Sequence, residues 1–214
     1  MFCRNGVLFI HIPKTGGTSV IDCLARYMEI TPKGSDPLGA GKHGTLDLAW
    51  QHRDRLGADA GSIRKVITLF RNPYDRLVSL YYFSRRVRAE NLYGGAGVPS
   101  VRVAATVGFA EWLAWLLEND FRGVHQYENY ITLNGELPEN LEVFFYEDIP
   151  KCFNKIMGLF GISVGDNYVF PHSVKTPHPP WQSLYDAESE AAAYELSRWT
   201  FDSGYYERLV FETP

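Results

Sequence analysis

The chain has 214 residues, of which 45% are apolar and 21% charged; that is ordinary globular usage and excludes a disordered chain, a collagen-like fibre and a coiled coil. Lysine and arginine number 21 against 25 aspartates and glutamates, a formal net charge of −4, which argues against a general nucleic-acid binder because phosphate contacts need a net basic face. Cys3, Cys23 and Cys152 form neither a disulfide framework nor a zinc spacing and read as reduced thiols.

The elements follow in chain order. Val7 to Ile12 (VLFIHI) is a short run of β-formers and predicts a buried parallel strand. Pro13 to Ser19 is a turn. Apolar residues at Val20, Leu24 and Met28, with Ile21 and Ala25 beside them, carry helical spacing. Residues 30–44 are rich in glycine and proline and read as loop. A helix is expected from Thr45, as its cap, to about Leu56. Lys65 to Phe70 (KVITLF) predicts a second buried strand. Asn72 is a good helix cap, Pro73 is tolerated at the first helical position, and Asp75 suits the positive helix end, so a helix is expected to about Arg86. Residues 87–105 read as an irregular, mobile excursion flanked by Arg85, Arg86, Arg88 and Arg102. Phe109–Glu118 is a strong helix, Leu141–Tyr146 a third strand, and Lys151–Phe160 a helix. Residues 171–180 read as a proline-rich loop, and Ala187 to about Thr200 as the terminal helix.

Strands alternating with helices imply an α/β fold, a three-layer domain with a central parallel sheet. No linker separates two cores, so residues 1–214 are expected to form a single domain. No apolar stretch approaches the roughly 20 residues that span a bilayer. No leader segment is visible, so the expected location is cytoplasmic, with no membrane partner.

Chemistry concentrates in two strand-to-helix turns. Lys14, Thr15, Gly16, Gly17, Thr18 and Ser19 lie between the first strand and its helix. N–H groups at a helix start carry partial positive charge, glycines let backbone approach an anion, and the lysine and hydroxyls add donors. Read without the ligand, the same segment is a tight turn capped by Thr or Ser. It is not the Walker A pattern, in which the lysine follows the glycines. In the second turn, Arg71 leaves the carboxyl end of a strand, where open parallel sheets place ligands. Ser79 follows Asn72 by about two helical turns. The plainer alternative pairs Arg71 with Asp75 and makes Ser79 a packing residue.

PKTGGTS after the first strand and RNPYDRLVS after a later one resemble the sulfotransferases that use 3′-phosphoadenosine 5′-phosphosulfate (PAPS). The nearer branch resembled is the carbohydrate type, which includes heparan sulfate 2-O-sulfotransferase and small bacterial relatives. The likeness extends to FFYEDIPKCFNKIMGLFGI and, more weakly, to the PHSVKT loop followed by a terminal helix; it covers most of the chain, with residues 87–140 generic. It implies a P-loop-like nucleotide site in which residues 13–19 hold the 5′-phosphosulfate. In that site Lys14 contacts the leaving phosphate, and Arg71 and Ser79 hold the 3′-phosphate of PAPS and of its product PAP. Lys175 is a further candidate for the nucleotide phosphates. Trp181 and Tyr185 either stack on the nucleotide or acceptor, or pack.

Sulfuryl transfer to a hydroxyl needs a base near working pH, and histidine is the usual choice. His43, in a glycine loop before a helix, is the candidate, and the resemblance points there as well. Asp47 and Glu147–Asp148 are rivals. His11 reads as packed, His52 and His125 as surface positions, and His172 as cofactor-side. No metal is expected, since no His/Cys cluster is offered. The acceptor, with carbohydrate favoured by the resemblance alone, and the oligomeric state stay open. Two rival functions remain. One is a P-loop-like kinase or NTPase, suggested by the acids ending LEVFFYED. The other is a non-catalytic module for a phosphorylated ligand.

Overall fold

A computed structural model describes residues 2–27, 43–56, 61–165, 170 and 175–211. In chain order the elements are β1 (Phe2–Arg4), β2 (Val7–Ile10), α1 (Gly17–Tyr27), α2 (Leu46–Gln51), β3 (Lys65–Phe70), α3 (Pro73–Glu90), α4 (Pro99–Thr106) and α5 (Phe109–Glu118). They continue with α6 (Arg122–His125), α7 (Glu128–Ile131), β4 (Leu141–Phe145), α8 (Ile149–Leu159), α9 (Ala187–Leu196) and α10 (Arg198–Asp202). Short 3₁₀ turns occupy Arg53–Leu56, Leu92–Gly97, Tyr146–Asp148 and Trp181–Leu184. The chain divides into two compact units. One takes residues 1–71 and 128–174, the other 72–127 and 175–214.

The first unit holds the sheet, in the order β1-β2-β3-β4. β2, β3 and β4 are parallel, with Phe9 opposite Ile67 and Leu69 opposite Phe144. The α/β class expected from the sequence is what the chain adopts. The added feature is β1, an antiparallel edge strand pairing Phe2 with Phe9. Asn5 and Gly6, both at positive φ, make its tight turn; an edge strand of three residues is too short to register as a hydrophobic pattern. Alternate residues of the sheet (Val7, Phe9, Ile67, Leu69, Phe144) share one core with Val20, Ile21 and Leu24 of α1 and Phe153, Ile156 and Met157 of α8. The opposite face is closed too: Leu8, Ile10, Val66 and Phe70 are buried. Burial on both faces is why these strands read as unbroken apolar runs. Thr45 caps α2 as expected, accepting from the Leu48 N–H.

The second unit is helical. Tyr74, Leu77, Val78 and Tyr81 of α3 form its core with Phe109, Trp112, Leu113 and Leu116 of α5 and Ala193 and Leu196 of α9. Asn72 caps α3 through a bond from the Tyr74 N–H, with Pro73 at its first turn. Here the expected excursion at 87–105 is corrected. α3 runs on to Glu90, and a 3₁₀ turn and α4 follow. Its arginines tie the segment down: Arg85 donates to Tyr81 Oη and to Ala104 O, and Arg88 donates to Ala96 O. Glycines at 94, 95 and 97 masked that order. The terminal helix is also broken, into α9 and α10, at Ser197. Among the described residues no helix is long and apolar enough to cross a membrane.

Candidate functional site

The loop after β2 is held in an uncommon backbone state. Lys14 has φ +66° and Gly16 φ +89°. For a residue with a Cβ the left-handed region costs roughly 1–2 kcal/mol, so the surroundings must enforce it. Three bonds do so. Thr15 Oγ1 donates to Ile12 O at 2.9 Å, the Ser19 N–H donates to Gly16 O at 3.0 Å, and Arg71 Nη1 donates to Lys14 O at 3.2 Å. Thr15 and Ser19 are buried, whereas Lys14, Gly16 and Thr18 are half-buried. The Thr15 hydroxyl proton is directed at Ile12, so what Thr15 offers a ligand is main chain.

Both glycines also make room for aromatic rings. A Cβ at Gly16 would lie 2.7 Å from Tyr146 Cδ2, and one at Gly17 would lie 2.2 Å from His11 Cδ2. The donor set of this turn consists of the Lys14 ammonium, the amino-terminal N–H groups of α1 and the Thr18 hydroxyl. It is cationic and hydrogen-rich, and fits an oxyanion.

His43 reaches the same strand exit. Its Nδ1 lies 3.2 Å from His11 O, and its ring is 4.5 Å from the His11 ring. His43 is exposed, and His11 is buried as expected. Asp47, a rival for the same role, sits in the first turn of α2 and accepts the Asn134 N–H at 2.9 Å. Glu147 and Asp148 lie exposed in the turn after β4, and Asp148 pairs with Lys151 at 3.0 Å.

Arg71, 9% exposed, extends from the carboxyl end of β3. Its guanidinium stacks on Tyr146, 4.6 Å from the ring centroid. The two sequence motifs therefore meet through Arg71 and the Lys14 carbonyl. Tyr146 touches both Gly16 and Arg71, and sequence reasoning missed it. An aromatic ending an apolar strand reads as core, and only its spatial neighbours mark it.

The other candidates lie in the second unit. Ser79 is buried on α3, and Lys175 is exposed. Asp75 faces His178, with 3.9 Å between Oδ1 and Nε2. Trp181 stacks on Tyr74 at 5.6 Å, and Tyr185 is buried with its hydroxyl donating to Tyr74 O; both pack. The surface placement of His125 is corrected. It is 2% exposed, its carbonyl accepts from the buried Arg76, and burial, with the Arg76 charge second, pushes its pKa down to about 3. His172 lies outside the described residues, as does most of the 30–44 loop. Among the described residues no three His, Cys, Asp or Glu side chains gather as a metal centre would require.

No family model matches the chain. No curated protein matches it either. Among solved structures, the chain is similar to a mouse sulfotransferase, SULT7A1, complexed with PAP. The TM-score is 0.54 and the sequence identity 16%, over 95% of this chain and 87% of that one. The shared property at that identity is the sulfotransferase fold.

Proposed function

We propose that this chain is a PAPS-dependent sulfotransferase, its residues 1–214 working as one sulfotransferase domain. The observation that carries the reading is the bond from Arg71 Nη1 to Lys14 O. Within the first unit, it joins the Lys14 turn to Arg71, the first residue of the second motif that resembles the family's nucleotide site. The fold shared with a sulfotransferase complexed with PAP supports it.

In this reading Lys14 and the main-chain N–H groups of Thr15 to Thr18 hold the 5′-phosphosulfate, with Thr18 and Ser19 adding hydroxyls. Arg71 and Ser79 hold the 3′-phosphate, and Lys175 closes on the nucleotide. A guanidinium carries five N–H donors, so a bond to the Lys14 carbonyl is compatible with a phosphate ligand. The acceptor hydroxyl attacks sulfur in line. Its oxygen–sulfur bond forms as the bond from sulfur to the 5′-phosphate oxygen breaks. The acceptor proton passes to His43, and Lys14 stabilises the charge developing on the leaving phosphate. His43 is preferred to Asp47 because one Asp47 oxygen already accepts a main-chain N–H. A carbohydrate acceptor rests on the motif resemblance alone; the structural neighbour supports the fold and not that branch.

The test is thermal unfolding with PAP, with AMP, and with ATP plus magnesium. A ligand of the folded state at about 100 times its dissociation constant adds roughly 2.7 kcal/mol. Stabilisation by PAP without metal, and none by AMP, is expected. Stabilisation by ATP and magnesium alone would move the kinase reading to first place. A His43→Ala variant that binds PAP but has lost turnover separates an enzyme from a binding module.

A further inference from the structure

His11 is placed to do more than fill the core. Its ring stacks on Phe9 with 6.2 Å between centroids, and tilts against His43 at 4.5 Å. It also lies flush with the start of α1, where a Cβ at Gly17 would fall 2.2 Å from Cδ2 and 2.8 Å from Nε2. The main-chain oxygen of the same residue meets His43 Nδ1 at 3.2 Å. A carbonyl oxygen can only accept, so Nδ1 carries the hydrogen. In a neutral imidazole Nε2 then bears the lone pair.

We infer that His11 is a positioning residue for the base. Its carbonyl selects the Nδ1–H tautomer of His43, and its ring, lodged between Gly17 and His43, sets the direction in which Nε2 presents its lone pair. The inference rests on the sulfotransferase reading and refines it. The acceptor proton goes to Nε2, while Nδ1 keeps its hydrogen on the His11 carbonyl throughout. The same ring touches α1 where the anion loop ends, so the loop and the base share one rigid support.

The experiment is nitrogen NMR of the imidazoles in the full, ligand-free chain, recorded where the histidines are neutral. The expected wild-type spectrum shows His43 protonated at Nδ1 and not at Nε2. His11→Phe, which keeps a flat ring, and His11→Ala, which keeps the main-chain carbonyl, both retain that pattern. Under turnover, His11→Ala loses kcat on the order of 100-fold, as a base displaced by about 1 Å does. KM for PAPS stays within about threefold, and His11→Phe recovers most of the loss. A wild-type His43 protonated at Nε2 overturns the inference, and that spectrum needs no variant to fold. So does a His11→Ala variant with wild-type kcat. The tautomer is read on the free protein, so failure of the sulfotransferase reading appears separately, as absence of PAP binding.

Discussion

The Arg71 guanidinium lies over the Tyr146 ring, 4.6 Å from its centroid, and the same ring covers Gly16 of the Lys14 to Ser19 loop. One side chain thus supports a cation and the loop backbone together. A stacked guanidinium is worth about 0.5–2 kcal/mol and is held in one orientation. Tyr146→Ala is expected to weaken PAP binding about fivefold, roughly 1 kcal/mol, whereas Tyr146→Phe keeps the affinity. Isothermal titration checks this. Equal losses for Ala and Phe would mean that the hydroxyl, not the ring face, matters.

Arg71 also has a selective task in the proposed site. A guanidinium that meets a 3′-phosphate favours nucleotides that carry one, because a charge-assisted bond is missing without it. Arg71→Ala should lower affinity for PAP by about tenfold or more, and for AMP by less, since AMP loses only the support that Arg71 gives the Lys14 carbonyl. Parallel titrations of the two nucleotides decide it, and equal losses count against the assignment.

Gly17 has no room for a methyl group. The 2.2 Å approach to His11 Cδ2 means that Gly17→Ala must move a buried ring or the start of α1. Overpacking of this kind costs about 1–3 kcal/mol. A urea unfolding midpoint lowered to match, with an unchanged slope, is the expected result. Gly204→Ala is the control. Unlike Gly17 it has a positive φ, at +74°, and no neighbour within 4 Å, so it should cost only the backbone strain.

Glu190 ties together the carboxyl-terminal part of the second unit. It is 5% exposed, accepts from Tyr74 Oη at 2.8 Å, and receives both Nε and Nη2 of Arg208 at 2.9 and 2.8 Å. The Arg208 side chain is 47% exposed, so solvent screens part of the pair. Glu190→Ala should cost about 2 kcal/mol, mostly from the buried Tyr74 hydroxyl that loses its acceptor. Faster amide exchange at Leu209, whose N–H donates to Tyr74 Oη, would report the loosened segment.

His125 makes the fold sensitive to acid. Its folded-state pKa is about 3, against about 6.5 in an unfolded chain. Between those values the unfolded state binds more protons. Its contribution is therefore complete above about pH 6.5 and is lost as pH falls toward 3. From pH 6.5 to 4.5 the loss from this one group is at most about 2.7 kcal/mol. Urea midpoints across that range should fall for the wild type and fall less for His125→Gln. Parallel slopes for the two would remove His125 from the account.

The helix caps at Thr45 and Asn72, the strand β3 and the anion-ready turn at Lys14 to Ser19 were legible because each rests on neighbours in sequence. A cap needs its own next residues, and a strand buried on both faces shows as an apolar run. Tyr146 under Arg71, the His11 ring against Gly17 and the burial of His125 were not legible. Each joins segments from 6 to 75 residues apart, as for Gly17 against His11 and Tyr146 against Arg71. An aromatic or histidine carries no sign of which distant surface it will meet. Local chemistry thus determined where the donors of the proposed oxyanion site lie. The tertiary structure alone decided which rings hold that loop, because packing is a property of surfaces brought together by the fold and not of residues in a row.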